Sequence, residues 1–330
     1  MHAPSPSHIL RVHPAHVNVV SFSDDNERLY SGDLSGSVLV TSTRTLRPIA
    51  IWKAHTDSIL GVQEWASNIA THGRDNKLHV WTRLLAVRAV GDTASSPDLP
   101  TPTLCYSLDV NALNFCRFSL LSSSHITSQS STSSANDSAL VAVPNLVESS
   151  LADVWQIPSC RRMHAAIGKL EGSEMSTKED ESHGRGKVRT DHNIARYDLT
   201  ADKGDELAGR VSKYRIKQAG NGGIALRSDG RVCAVGGWDG KIRLFSTKSF
   251  KSLGTLSYHT KSCQSVAFAH CEIYGRSDDG DYLDDEDDEL TEEEKEERCR
   301  WLAAGGQDNR LTIWELVDFS KNEQYQSERA

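Results

Sequence analysis

Apolar and polar positions alternate in short runs along most of this chain, and tight-turn residues punctuate the runs. The clearest examples are G236-G-W-D-G-K-I-R-L-F245, H72-G-R-D-N-K-L-H-V-W81 and G305-G-Q-D-N-R-L-T-I-W314. Each has a small or Gly-containing strand end, a turn on Asp plus Gly or Asn, and alternating apolar residues that close on an aromatic, which predicts strand, turn, strand. A weaker copy, S31-G-D-L-S-G-S-V-L-V40, carries Ser35 at the turn Asp position and Thr41 at the aromatic position. Upstream of the copies stands a His followed by apolar residues: His13 before Val17, Val20 and Phe22; His55 before Ile59 and Val62; His259 before Cys263, Val266 and Phe268. The repeating unit is therefore longer than a hairpin.

From His55 to Trp81 there is chain enough for three short strands, and a fourth fits before the next copy, which matches the roughly 40–45 residues of a β-propeller blade. One such sheet cannot bury both faces, so the sheets must stack radially and the ring must close. The last copy stops at L311-T-I-W-E-L316, and an orphan strand, I9-L-R-V12, precedes the first His. Residues 9–12 are thus expected to close the last blade. The expected fold is an all-β propeller over residues 1–330.

Three stretches interrupt the repeats. Residues 119–138 are rich in Ser and Thr and too poor in apolar side chains to offset their ordering entropy, so a disordered insert, open to phosphorylation, is expected there. Residues 171–190 read as a polar loop. Residues 278–298 hold fourteen Asp or Glu against one Lys and one Arg, an acidic insert expected to be disordered in the last blade. Its final part, Thr291 to Glu294, has the capping-box pattern of a short exposed helix running toward Arg300. With these stretches set aside about 269 residues remain, about six units of roughly 43.

Charge changes the picture through that acidic stretch. The chain carries a net charge of −8, so without residues 278–298 the rest is mildly basic, at about +4. The arm reads as a solvated loop or as a docking arm for a basic partner such as a histone tail. Basic residues are not clustered with aromatics, so no direct nucleic-acid binding is expected. No apolar run approaches the roughly 18 residues of a membrane helix, and M1-H-A-P-S-P-S-H8 lacks the apolar centre of a signal peptide, so no membrane association and a nuclear or cytoplasmic location are expected. Seven cysteines without a C-x-x-C pair are expected to be reduced and mostly buried. The N136-D-S138 triplet fits a glycosylation acceptor but means little without a secretory signal.

The units resemble the WD-repeat family, in which the blade His, a second-strand Ser or Thr, the turn Asp and the third-strand Trp form a hydrogen-bonded network. That resemblance implies structural roles for His55, Thr71, Asp75 and Trp81, and partial networks at Asp239 with Phe245 and at His259, Asp308 and Trp314, the last with Ala304 where a hydroxyl is expected. Catalytic patterns are missing: G184-R-G-K187 lacks phosphate-loop spacing, and neither G-x-S-x-G nor H-E-x-x-H occurs. No enzyme activity, cofactor, metal or catalytic residue is expected. Recognition through the exposed turns remains, with Leu34, Arg74, Asn76, Trp238, Gln307 and Asn309 as partner-binding candidates and Trp238 as the best anchor.

Longer strings narrow the resemblance. I9-L-R-V-H13, L29-Y-S-G-D33, R47-P-I-A-I-W-K-A-H55, I69-A-T-H-G-R-D75, L108-D-V-N-A-L-N-F-C116 and V141-A-V-P144 are similar to the fungal ASTRA-associated WD-repeat family, itself similar to an animal G-protein-β-like WD protein. The resemblance implies a seven-bladed propeller and a nuclear scaffold of the ASTRA assembly. The implied partners are a Tra-type PI3-kinase-like protein, Tel and Tti co-chaperone subunits and RuvB-like ATPases, with a link to chromatin remodelling. It thins over residues 158–215, where one blade is expected to be missing or degenerate and the chain poorly packed. A histone-reading propeller that takes a basic peptide on its top face is the alternative.

Overall fold

The computed structural model describes residues 4–84, 99–112, 116–122, 138–148, 151–167, 193–197, 211–216, 220–271 and 291–317. After β1 (His8–Leu10), one sheet is built in chain order from β2 (Val17–Phe22), β3 (Arg28–Asp33), β4 (Ser37–Ser42) and β5 (Pro48–Lys53). A second sheet holds β6 (Ile59–Trp65), β7 (Asn68–Gly73), β8 (Lys77–Thr82) and β9 (Leu104–Asp109), and a third holds β10 (Ser119–Ser122), β11 (Ala139–Pro144), β12 (Ala152–Ile157) and β13 (Arg161–Ile167). β14 (Asn193–Tyr197) and β15 (Val211–Arg215) pair as two strands. β16 (Asn221–Leu226), β17 (Val232–Gly237), β18 (Lys241–Ser246) and β19 (Ser252–Ser257) form a fourth four-stranded sheet. The closing sheet has the order β1-β22-β21-β20, with β20 at Cys263–Phe268, β21 at Trp301–Gly306 and β22 at Leu311–Glu315. All pairings within these sheets are antiparallel, and the architecture is that of a β-propeller.

The first strands pack side by side around an axis: β16 against β20, β20 against β2, and β2 against β6. Their approach explains the small residues that recur before each turn. A Cβ on Gly305, before its turn, would lie 2.5 Å from Val17 Cγ1, and one on Gly61, within β6, would lie 2.7 Å from the Phe118 ring, so a larger residue at either position would force its neighbour to shift. Between the sheets lie continuous apolar layers, such as Val19, Tyr30, Val38, Trp52, Ile59, Val62 and Trp81 between the first and second. Burying each large apolar side chain contributes about 1.5–3 kcal/mol. One polar knot crosses the same layer: the Tyr30 hydroxyl donates to Glu64, which also accepts from Arg83 Nη1 at 2.9 Å. Burial pushes the Glu64 carboxyl up, and these donors pull it back.

β1 joins the two chain ends, with His8 opposite Ile313, Ile9 opposite Thr312 and Leu10 opposite Leu311. The strand stops at Leu10 rather than running through residues 11 and 12. The Ser-rich stretch is not wholly an insert: Ser119–Ser122 pairs with β11, and Leu120 is buried against Val141 and Phe118, so two leucines suffice for a strand. The acidic stretch ends in an α-helix, α1 (Glu292–Cys299), with Thr291 accepting from the Glu294 amide and Glu294 accepting from the Thr291 amide. Within 158–215, Arg161–Ile167 supplies the fourth strand of the third sheet through backbone pairing, although most of its side chains are exposed. The two-stranded pair follows it. The expectations for 123–137, 171–190 and 278–290 fall outside the described residues. No described helix is long and apolar enough to cross a membrane.

Candidate functional site

The recurrent His and Asp residues meet at one end of the sheets, where first and third strands begin. In the second sheet the His55 Nδ1 hydrogen is directed at Asp75 Oδ1 at 2.9 Å, and Nε2 lies 2.8 Å from Thr71 Oγ1, which accepts from Trp81 Nε1 at 2.9 Å. The chain is satisfied when His55 is neutral, giving its Nδ1 hydrogen to the carboxylate and receiving the Thr71 hydroxyl hydrogen at Nε2. Burial lowers the His55 pKa despite Asp75, which agrees with that neutral form. Burial acts to raise the Asp75 pKa, but the Thr56 amide at 3.0 Å and His55 hold it below the ordinary value. Gly73 makes this possible, since a Cβ there would lie 2.5 Å from the His55 ring.

Two other sheets reach the same arrangement by different residues. His259 Nδ1 faces Asp308 at 2.9 Å, but the hydroxyl comes from Thr312, 3.2 Å from His259 Nε2 and accepting from Trp314 Nε1 at 3.0 Å. Thr312 lies directly opposite Ala304 on the neighbouring strand, so the expected gap at Ala304 is filled from across the ladder. In the first sheet Asp33, not Ser35, carries the carboxylate: His13 bonds Asp33 at 3.1 Å and Ser31 at 2.7 Å. Asp33 occupies the position that is Gly73 or Gly306 in the other copies, and the Ser35 hydroxyl donates to it at 2.6 Å. Thr41 has no hydrogen-bond partner for its hydroxyl among the described residues. In the fourth sheet Asp239 bonds Arg243 through both oxygens at 3.0 and 2.6 Å, and this guanidinium holds its carboxyl below the ordinary range. Phe245 has no N–H to contribute and stacks on Phe250.

His55, Asp75 and His79 bring their nitrogens and oxygens close together. The two imidazoles are stacked at 4.5 Å and 20°, both His55 nitrogens are committed, and His79 Nδ1 bonds Ser107 at 2.6 Å. Parallel rings do not aim their lone pairs at a common point, so the cluster does not fit a cation. With the acids and bases held in these pairs, the arrangement ties strands together.

The partner-binding candidates separate into two groups. Leu34, Arg74, Trp238 and Gln307 are structurally equivalent: each donates its amide to the carbonyl before the first strand of its own sheet, at His16, Ser58, Gly220 and Ser262. Arg74 is exposed, Leu34 is 45% and Trp238 51% exposed, while Gln307 is half-buried. The Trp238 ring rests on Gly220, where a Cβ would come within 2.2 Å, so it is both supported and presented. Asn76 and Asn309 instead stitch neighbouring sheets. Both have positive φ, 60° and 62°; Asn76 Oδ1 accepts from the Ala112 amide at 3.1 Å, and Asn309 Nδ2 donates to the Pro14 carbonyl at 2.8 Å. Asn76 is nonetheless exposed and Asn309 half-buried, so each also reaches the surface beside the presented residues.

Two features on this end were missed in the sequence. Leu146 and Val147 occupy the β11–β12 turn, and Val147 is 94% exposed; the apolar pair in N145-L-V-E148, at a site where turns are ordinarily polar, was the available signal. Arg117 leads into β10 yet bonds Asn18 O and Gln264 O, each at 2.9 Å, and Ser265 Oγ at 3.2 Å, so it spans the axis to the β2–β20 junction. It keeps solvent contact while protein surrounds it, and that burial lowers its pKa. Nothing in the spacing around N111-A-L-N-F-C116 marks it.

The chain matches the family described as WD domain, G-beta repeat over residues 4–42 and 221–246. It is 28% identical to a Verticillium alfalfae protein over 95% of this chain and 93% of the relative, and 27% identical to one from Aspergillus flavus over 94% and 97%. A Schizosaccharomyces pombe relative is 25% identical over 81% and 94%. All three bear the name ASTRA-associated protein 1. The first two alignments extend over 382 and 421 positions against a chain of 330, so these relatives carry residues that this chain lacks. The chain carries WD repeats on a β-propeller and is homologous, over most of its length, to the fungal proteins named ASTRA-associated protein 1.

Proposed function

We propose that this chain is a non-enzymatic scaffold subunit of the ASTRA assembly that offers the turn-bearing end of its propeller to a partner. The observation that carries the reading is homology over nearly the whole chain to proteins named for association with that assembly. The geometry supports it, because the recurrent His and Asp side chains are consumed in strand-to-strand bonds while Leu34, Arg74, Val147 and Trp238 are left facing solvent. A large exposed aromatic beside apolar and Arg neighbours suits a protein partner. The partners proposed are the Tra-type PI3-kinase-like protein, the Tel and Tti subunits and the RuvB-like ATPases, in the nucleus and in connection with chromatin remodelling. Purifying the tagged chain from its native cell at moderate salt, with mass spectrometry of what accompanies it, tests this: a PI3-kinase-like protein with Tel- and Tti-type subunits supports the scaffold, and their absence overturns it.

The acidic stretch favours a second reading, capture of a basic histone peptide. The β20–β21 connection that carries this stretch lies at the opposite end of the sheets from the β17–β18 turn with Trp238. An arm rooted there and a peptide seated on the turn-bearing end would therefore act on separate faces. Recovery of histones without ASTRA subunits is the result that favours this reading.

A further inference from the structure

Cys271 and Cys299 stand at the two ends of the acidic stretch, and they face each other. The β20–β21 ladder pairs Val266 with Ala304, Ala267 with Ala303 and Phe268 with Leu302, and the Ala269 amide continues it with a 3.0 Å bond to the Trp301 carbonyl. Two residues past Ala269 comes Cys271, and two residues before Trp301 comes Cys299, the last residue of α1. The side chains meet reciprocally: Cys271 Sγ lies 3.6 Å from the Cys299 carbonyl oxygen, and Cys299 Sγ lies 3.8 Å from the Cys271 carbonyl oxygen. Each sulfur thus lies beside the other residue's backbone. Both thiols are free and half-buried, so a small oxidant can reach them.

We propose that Cys271 and Cys299 are an oxidisable dithiol site whose disulfide ties together the two ends of the acidic stretch. Hydrogen peroxide or a peroxide of similar size is the co-reactant. One thiolate attacks a peroxide oxygen, the O–O bond breaks, and a sulfenic acid and water form; the second thiolate attacks that sulfur, the S–O bond breaks, and a second water leaves. Two thiols are oxidised by two electrons and the peroxide is reduced by two. Burial raises the Cys299 pKa, and the neighbouring Cys271 acts in the same direction, so the pair is slow to react at neutral pH and faster in alkaline conditions. The new bond would fix the C-terminal end of α1 to the end of β20, at the base of the most charged part of the chain.

Competing thiols sharpen the test. Cys105 and Cys116 are exposed, and Cys160 is half-buried, so random oxidation would engage them first. The reduced full-length chain is treated with hydrogen peroxide, its remaining thiols are alkylated under denaturing conditions, and it is digested without reductant for mass spectrometry. The expected result is a dominant peptide pair linked through Cys271 and Cys299, lost in Cys271→Ser, in which Cys299 becomes alkylatable. The same oxidation of the urea-unfolded chain should lose that preference and scatter the links. Full alkylation of both residues in the treated folded chain, or a dominant link from either to another cysteine, overturns the proposal.

Discussion

Replacing Thr312 with Val removes one oxygen atom and nearly nothing else, which isolates the polar network of the closing sheet. Thr312 is fully buried, accepts from Trp314 Nε1 at 3.0 Å and lies 3.2 Å from His259 Nε2. Valine keeps the branched shape but leaves the indole N–H and the imidazole nitrogen without partners in an apolar layer. Each buried group so orphaned costs about 1–3 kcal/mol, so the pair should cost about 2–6 kcal/mol. In a chain of this size a loss of 1 kcal/mol lowers the melting temperature by roughly 2 °C, and the expected fall is therefore about 4–12 °C by thermal circular dichroism. The partner variant is Ala304→Thr, which places a hydroxyl where the sequence repeat lacks one. Ala304 is fully buried and its role is already filled, so added volume should lower the melting temperature too. A Thr312→Val chain melting within 1 °C of the parent, or a stabilised Ala304→Thr chain, would refute the reasoning.

Three further outcomes follow from the same geometry. His72 is fully buried, its ring nitrogens have no hydrogen-bond partner among the described residues, and burial drops its pKa from 6.5 to about 4. Such a group is neutral when folded but takes a proton in the unfolded chain, so its stability contribution is complete above pH 6.5 and declines between 6.5 and 4 by about 3 kcal/mol; His72→Leu should flatten melting temperature against pH over that window, and an unchanged slope would contradict this. Arg117→Ala should remove three bonds across the axis and cost about 1–3 kcal/mol in urea unfolding, whereas a neutral effect would mean that Arg117 braces nothing. Asn76→Ala strains a positive-φ residue and loses the Ala112 bond, so it should lower the melting temperature while partner recovery per folded chain stays constant; Trp238→Ala should do the reverse.

The repeat was legible because its period follows from the pleat and the turn: G236-G-W-D-G-K-I-R-L-F245 became β17, a turn and β18 with Ile242, Leu244 and Ala234 buried on one face. Spatial substitution was not legible. Thr312 serves His259 from the strand next to the expected position, and Asp33 serves His13 from two residues before it, because a hydrogen-bonded network requires atoms at a distance and not residues at a spacing. The bonds that Asn76 and Asn309 make to the next sheet were hidden for the same reason: a side chain beside a turn can reach the surface and still bond across to a neighbour, and spacing alone does not show the bond. The middle of the chain was partly legible. Backbone pairing sustains Arg161–Ile167 as a strand, yet Ile224 and Leu226 of β16 remain 54% and 64% exposed, whereas β20 and β2 are well covered by their neighbours.

The most direct test of the scaffold reading is a side-by-side purification of the tagged parent and of a Trp238→Ala, Arg74→Ala double variant with the same melting temperature, quantified by mass spectrometry. The expected result is that the parent brings down a PI3-kinase-like protein with Tel- and Tti-type subunits and that the variant loses most of them. Equal recovery from both would contradict a partner surface at the turn-bearing end, and recovery of no ASTRA subunit by the parent would contradict the scaffold itself.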